Sequence, residues 1–253
     1  MTIRLVAFDL DDTLAESKSA IKPEIGLALA RLLGVTQVAI ISGGALPQFE
    51  AQVLGRLPDG ADLGHLHILP TCGTRYMHFA DGAWRDVYRH YLTDGEKAAA
   101  IASLTKRAKQ LGLWEPDDKL SGGRIEDRGS QITYSALGQE AAPAVKRAWD
   151  PTGAKRHALR DAVAADLPEL SVGAGGSTSI DITRHGVDKA YGMKALAAQT
   201  GIPLDEMVFV GDRTEPGGND YSVVQLGVRT IPVTGWCDTL AVIDKLCEQM
   251  GAR

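Results

Sequence analysis

The sequence predicts an α/β protein, a doubly wound parallel sheet interrupted by an inserted α+β layer. Three observations predict it. Short apolar runs such as "VAII" at 38–41 and "MVFV" at 207–210 read as buried strands. They alternate with helical stretches, the signature of a parallel sheet with helices on both faces. Between them, from about residue 81 to 185, the rhythm changes to locally paired strands with helices interspersed.

In order, the pattern predicts a strand over 3–10 and a helix over Pro23–Leu33, with proline at a helix start where its missing N–H costs little. A strand over 38–41 follows, then "SGG", a helix near 47–57 and a strand over 67–70. "YMHFADGAWRDVYRH" at 76–90 reads as a hairpin turning at Asp81-Gly82. The insert continues with a helix over 94–112, a strand in "SQITYSAL", a helix near 155–166 and a strand in "STSIDIT". A helix over 189–200, a strand over 207–210, the loop "GDRTEPGGND" and the strand "RTIPVT" resume the first pattern. The expected division is a discontinuous core of 1–80 and 186–253 around an insert of 81–185. Both crossings lie beside glycine, which suits a hinge.

With 44% apolar and 23% charged residues and a net charge of −5, the composition is that of an ordinary soluble protein. No run of five like charges is present, so neither nucleic acid nor a membrane surface is expected as a partner. Cys72, Cys237 and Cys247 form no CxxC pair and are odd in number, which argues against a disulfide framework or a zinc site and fits a reducing cytoplasm. The N-terminal "MTIRLVAFDL" runs directly into a strand pattern without the layout of a signal peptide. None of the six histidines pairs at metal-ligand spacing, and His65 and His67 read as structural; Trp84, Trp114 and Trp149 read as packing for a small insert core.

Two acidic clusters carry the chemistry. "FDLDDTL" at 8–14 ends the first strand with Asp9, Asp11 and Asp12, and "GDRTEPGGND" places Asp212, Asn219 and Asp220 after a later one. Ligands of open α/β sheets bind at the carboxyl ends of strands. If the two strands are neighbours, three or four carboxylates meet at one edge. Like charges so packed need a cation, and oxygen donors suit a hard divalent ion, Mg²⁺ foremost. A carboxylate can also attack phosphorus. Strand alternation would put Asp9 and Asp11 on one side, one as nucleophile and the other handling the leaving group's proton. Ser42, after the second strand, and Lys189, at a helix start, could hold the remaining phosphate oxygens.

In this order, Asp9-x-Asp11-x-Thr13, Ser42, Lys189 and Gly211-Asp212 with Asn219-Asp220 resemble the motifs of the haloacid dehalogenase superfamily, and the insert resembles its type IIB cap. "GDRTEPGGND", "GGSTSIDITRHGVDK" and "DRGSQITYSALGQ" are further similar to stretches of eukaryotic-type phosphomannomutases, with related sugar phosphatases nearby. The glycines of Ser42-Gly43-Gly44 also resemble the mutases more than those phosphatases, which often carry arginine there. The resemblance implies a Rossmann-like core and Mg²⁺ held by Asp9, Asp212 and a backbone carbonyl at Asp11. It implies Asp9 as nucleophile, Asp11 as acid and base, and Asn219 and Asp220 orienting the nucleophile, Lys189 and the metal. It implies a small phosphorylated sugar as substrate, a cap that closes over the core, and a homodimer, although no sequence stripe demands one.

The same resemblance assigns Arg128, Ser179 and Asp181 to the substrate's second phosphate. At the two further arginine positions this chain has Gln139 and Lys146, one uncharged and one lacking the bidentate fork of arginine. A weaker hold on a sugar bisphosphate would favour its release. The sequence therefore leans to a sugar phosphatase. A phosphomannomutase interconverting hexose 1- and 6-phosphate is the alternative, and a non-catalytic sugar-phosphate binder the remote one.

Overall fold

The computed structural model describes residues 2–251, whose contacts form two compact units, Met1–Arg89 with Val187–Arg253, and His90–Gly186. The chain enters the first unit through β1 (Leu5–Phe8), α1 (Pro23–Leu33), β2 (Gln37–Ile41), α2 (Leu46–Gln52), β3 (Leu66–Leu69), β4 (Arg75–Ala80) and β5 (Ala83–Arg89). The second unit holds α3 (Asp94–Gln110), β6 (Ile125–Asp127), β7 (Ile132–Ser135), α4 (Pro143–Trp149), α5 (Ala154–Asp166), β8 (Leu170–Ala174) and β9 (Ser179–Arg184). The return adds α6 (Lys189–Thr200), β10 (Met207–Gly211), α7 (Tyr221–Gln225), β11 (Arg229–Pro232) and α8 (Trp236–Met250).

The first unit is a seven-stranded sheet in the order β11-β10-β1-β2-β3-β4-β5, parallel from β11 to β3. The central strands β1 and β10 are apolar throughout, and β2 and β3 nearly so, because both of their faces are covered. Val6, Phe8, Val38 and Ile40 pack with Ile25, Leu29 and Leu32 of α1 and Ile243 and Leu246 of α8. The alternate residues Leu5, Ala7, Ala39 and Ile41 pack with Met193 and Leu196 of α6 and Val223 of α7. This is the doubly wound α/β architecture the alternation predicts.

The hairpin departs from expectation. Its turn is at Asp81-Gly82, both with positive φ (51° and 74°), as a tight two-residue turn requires. Yet β4 pairs antiparallel with β3, through His67↔His78 and Ile68↔Met77, so the hairpin extends the core sheet instead of opening the insert. The first crossing therefore falls at 89/90 and not 80/81. A hairpin's local pattern specifies its turn, not the third strand it joins. Trp84 moves with it: the ring meets Phe79 edge-on at 5.4 Å and packs on the core cluster of the first unit. Helix α8 and the short β6, β8, α4 and α7 were not anticipated from sequence.

The second unit is a four-stranded antiparallel sheet, β6-β7-β9-β8. One face carries Ile132, Tyr134, Ile180 and Ile182 against Ala100 and Leu104 of α3 and Leu159 and Val163 of α5. The alternate positions, Thr133 opposite Asp181 and Ser135 opposite Ser179, form a polar face. Helix α3 opens on a capping box, in which Thr93 and Glu96 each satisfy the other's backbone N–H. Among the described residues no helix is long and apolar enough to cross a membrane.

Candidate active site

Strands β1 and β10 are parallel neighbours with Phe8 opposite Val210, and the Asp9 N–H continues the ladder to the Val210 carbonyl at 2.9 Å. This register brings Asp9 and Asp212 out side by side at the carboxyl edge of the sheet. Helix α6 starts at Lys189, behind the cap Asp188, whose carboxylate accepts the Tyr191 N–H at 2.9 Å. The Lys189 side chain is 1% exposed. Its ammonium lies 2.6 Å from Asp9 Oδ1 and also bonds Asp220 Oδ1. Burial opposes the charge on Lys189, but the two carboxylates outweigh it and hold its pKa above the ordinary value. Burial likewise pushes the Asp9 carboxyl up to about 7, with Lys189 opposing.

One carboxylate oxygen each of Asp9, Asp212 and Asp220 lie within 4.8 Å of one another. Both Asp220 oxygens are engaged, Oδ1 by Lys189 and Oδ2 by the Arg213 N–H at 3.0 Å. Asp9 and Asp212 meet within hydrogen-bond reach, and burial followed by the charge of Asp220 raises the Asp212 pKa. Two carboxylates so close need a proton or a cation between them. The donor set is all oxygen, which fits a hard divalent ion, and Asp9 and Asp212 are the carboxylates that could hold one. Thr13 steadies Asp212, its hydroxyl 3.3 Å from Oδ1.

The glycines of the 211–220 loop have steric causes. A Cβ on Gly211 would lie 2.4 Å from Asp220 Oδ2, and one on Gly218 2.1 Å from the Arg213 carbonyl oxygen. Only glycine lets the loop fold back far enough for Asp220 to bond Arg213 and Lys189 together. Asn219 is exposed on that loop, and no hydrogen bond ties it to Lys189 or Asp9.

Asp11 differs from the alternation argument. Strand β1 ends at Phe8 and the chain turns tightly, with Leu10 O accepting the Leu14 N–H at 3.0 Å and Asp12 at φ 59°. Strand periodicity therefore does not govern Asp11, and its carboxylate is not one of the clustered three. Instead, Oδ1 accepts the Lys18 N–H at 2.7 Å and Oδ2 the Gln48 amide at 2.7 Å.

Ser42 follows β2, is buried, and accepts the Gly44 N–H on Oγ at 3.1 Å. A Cβ on Gly43 would meet nothing within 4 Å. Sequence reading missed the turn at 71–73 beside it. Thr71, Cys72 and Gly73 are consecutive positive-φ residues (48°, 57° and 86°), an uncommon backbone for a β-branched residue. Backbone bonds of 2.9 Å from Thr71 N to Gly44 O and from Cys72 N to Ser42 O lock this turn onto the serine loop. On its other side a Cβ on Gly73 would lie 2.5 Å from Gly192 Cα, one turn along α6 from Lys189. The turn thus ties Ser42 and Lys189 together, and "TCG" carries no motif that would have flagged it.

In the second unit, Asp181 accepts bonds from Thr133 Oγ1 at 2.8 Å and Gln131 Nε2 at 2.9 Å, and burial raises its pKa. Arg128 pairs with Glu126 at 2.7 Å, and Ser179 sits two residues before Asp181 on the same face. Lys146 donates to the Gln139 backbone carbonyl at 2.9 Å.

A Rossmann-like sheet with this carboxylate–lysine cluster at its carboxyl edge, interrupted by a separate antiparallel sheet, defines a phosphotransferase of the haloacid dehalogenase class. A haloacid dehalogenase-like hydrolase from Bacteroides thetaiotaomicron shares the fold, with a TM-score of 0.64 at 14% identity, covering 97% of this chain and all of that one. IMP-bound Plasmodium falciparum IMP-nucleotidase shares it too, with a TM-score of 0.67 at 14% identity, covering 98% of this chain and 68% of that one. The family model described as eukaryotic phosphomannomutase matches residues 118–249. A phosphomannomutase of Drosophila melanogaster is 25% identical over 227 residues, 87% of this chain and 85% of that protein. The chain belongs to the eukaryotic phosphomannomutase family, and so to enzymes that transfer phosphoryl groups on sugar phosphates.

Proposed function

We propose that this enzyme carries out Mg²⁺-dependent phosphoryl transfer on a hexose phosphate through an aspartyl-phosphate at Asp9. The observation that carries this reading is the buried trio of Asp9, Lys189 and Asp220 beside Asp212. A carboxylate Oδ of Asp9 attacks phosphorus, the P–O bond to the sugar breaks, and Asp11 gives the departing oxygen its proton. Asp11 then takes the proton of the incoming hydroxyl as that oxygen displaces Asp9 from phosphorus. Lys189 and Ser42 hold the non-bridging oxygens. Asp9, Asp212 and the Asp11 carbonyl would hold Mg²⁺, which when bound would supply further charge neutralisation on the phosphoryl group. Replacing Asp9 with asparagine should abolish turnover.

The acceptor divides two readings. The sequence leans to water, but relatives named phosphomannomutase align along most of the chain, and we now place the mutase first. On this reading Arg128, Ser179 and Asp181 hold the sugar's second phosphate. Hydrolysis keeps one specific support: Gln139 and Lys146 replace arginines, and Lys146 is engaged by the Gln139 carbonyl. A phosphorus NMR time course with mannose 1-phosphate and Mg²⁺, with and without a trace of hexose bisphosphate, separates them. A mannose 6-phosphate signal enhanced by bisphosphate marks the mutase. Growth of inorganic phosphate alone marks the phosphatase and overturns our order.

A further inference from the structure

Gln48 has no part in the chemistry above, yet it occupies a defined place. It lies in the first turn of α2, and its Nε2 donates to Asp11 Oδ2 at 2.7 Å. Its Oε1 fills the space where a Cβ on Gly44 would be, 2.2 Å away from that virtual atom. Gly44 in turn gives its N–H to the Ser42 hydroxyl at 3.1 Å. The other Asp11 oxygen is fixed by the Lys18 N–H at 2.7 Å. Gln52 reaches the same carboxylate only at 3.4 Å, its amide being committed to the Ser19 carbonyl at 2.5 Å.

From this we infer that Gln48 is a positioning residue for Asp11, and that Gly44 is glycine to admit the Gln48 amide. The inference rests on the reading of Asp11 as the proton-transfer group. A carboxylate on a tight turn outside any strand has no ladder to orient it, so its direction is set by its hydrogen bonds. A proton must pass between Asp11 and the bridging oxygen over about 3 Å, and a misplacement of about 1 Å can cost on the order of a hundredfold. Gln48 supplies one of the two strong donors that set that geometry. Because it bonds Oδ2 and not the clustered carboxylates, its loss leaves Asp9, Lys189 and Asp220 in place.

The test is kinetic. Gln48→Met preserves side-chain volume and removes the donor. On the hexose phosphate that the wild type turns over fastest, kcat should fall about 10- to 100-fold with KM changed less than about twofold, in keeping with the cost of misplaced proton transfer. The first turnover of p-nitrophenyl phosphate, whose leaving group departs without a proton, should be spared. Gly44→Ala, whose methyl would displace the amide, should lose a similar factor, and the double variant no more than either single one, as coupled sites do. Wild-type kcat in Gln48→Met, equal loss in the p-nitrophenyl burst, or multiplying losses in the double variant would each overturn the assignment. Asp11→Asn run in parallel separates the two levels. If it keeps hexose-phosphate turnover, the role given to Asp11 fails; if it is inactive while Gln48→Met is not, only the role of Gln48 fails.

Discussion

Lys189→Met is the sharpest perturbation this site offers. Methionine keeps the apolar stem and removes the ammonium that lies between Asp9 and Asp220, in a pocket where the lysine side chain is 1% exposed. Two buried carboxylates are left facing each other. Breaking a buried pair in this way costs about 3–5 kcal/mol. A second route gives the same scale. One carboxyl can take a proton instead, and doing so at pH 7 from its ordinary pKa of 3.8 costs about 1.4 kcal/mol per pH unit, or about 4 kcal/mol. Domain stabilities are themselves about 5–15 kcal/mol, so the variant should fold but be visibly weakened. Urea unfolding in EDTA, with an m-value of about 2 kcal/mol/M, should show a midpoint lowered by about 2 M. Peptide-resolved hydrogen exchange supplies the control: the loss should fall on the first unit and spare residues 90–186. A change below about 1 kcal/mol would show that this ion cluster does not carry buried charge, and the electrostatic account of the site would fail.

Gly73→Ala puts a methyl 2.5 Å from Gly192 Cα at a residue with φ 86°, and should destabilise by about 2–3 kcal/mol while lowering kcat, read by denaturant midpoint and steady-state rates. His67 is held neutral between Tyr76 and Gln37, and burial lowers its pKa from 6.5 to about 3. Stability from this group is fully present above pH 6.5 and is lost as the pH falls towards 3, by about 2 kcal/mol at pH 5. His67→Gln should flatten that part of the pH–stability curve; an unchanged slope would refute the assignment. Mg²⁺ at a hundredfold excess over its Kd should raise stability by about 2.7 kcal/mol, and Asp212→Asn should remove most of that gain in a thermal-shift titration.

Much of this protein was legible in its sequence because the informative signals are local. Buried parallel strands must be apolar on both faces, so "VAII" and "MVFV" announce themselves without partners. Pro23 marks the start of α1, and Asp188 with Gly201 brackets α6. That Asp9, Lys189, Asp212 and Asp220 would gather was legible because their motifs fall where parallel strands and a helix start bring side chains to one sheet edge. Tertiary structure decided what depends on residues far apart in the chain. Whether the 76–90 hairpin joined the core or the insert turned on its pairing with β3, which no local pattern encodes. The direction of Asp11 turned on Gln48 and the Lys18 N–H, brought to it by a turn that ends the strand early. The link between Ser42 and Lys189 turned on a left-handed run at 71–73 packed against Gly192. Periodicity and motif order report which groups a fold must bring to one edge. Hydrogen-bond direction and close backbone approach exist only once distant segments meet, and they determine how those groups are aimed.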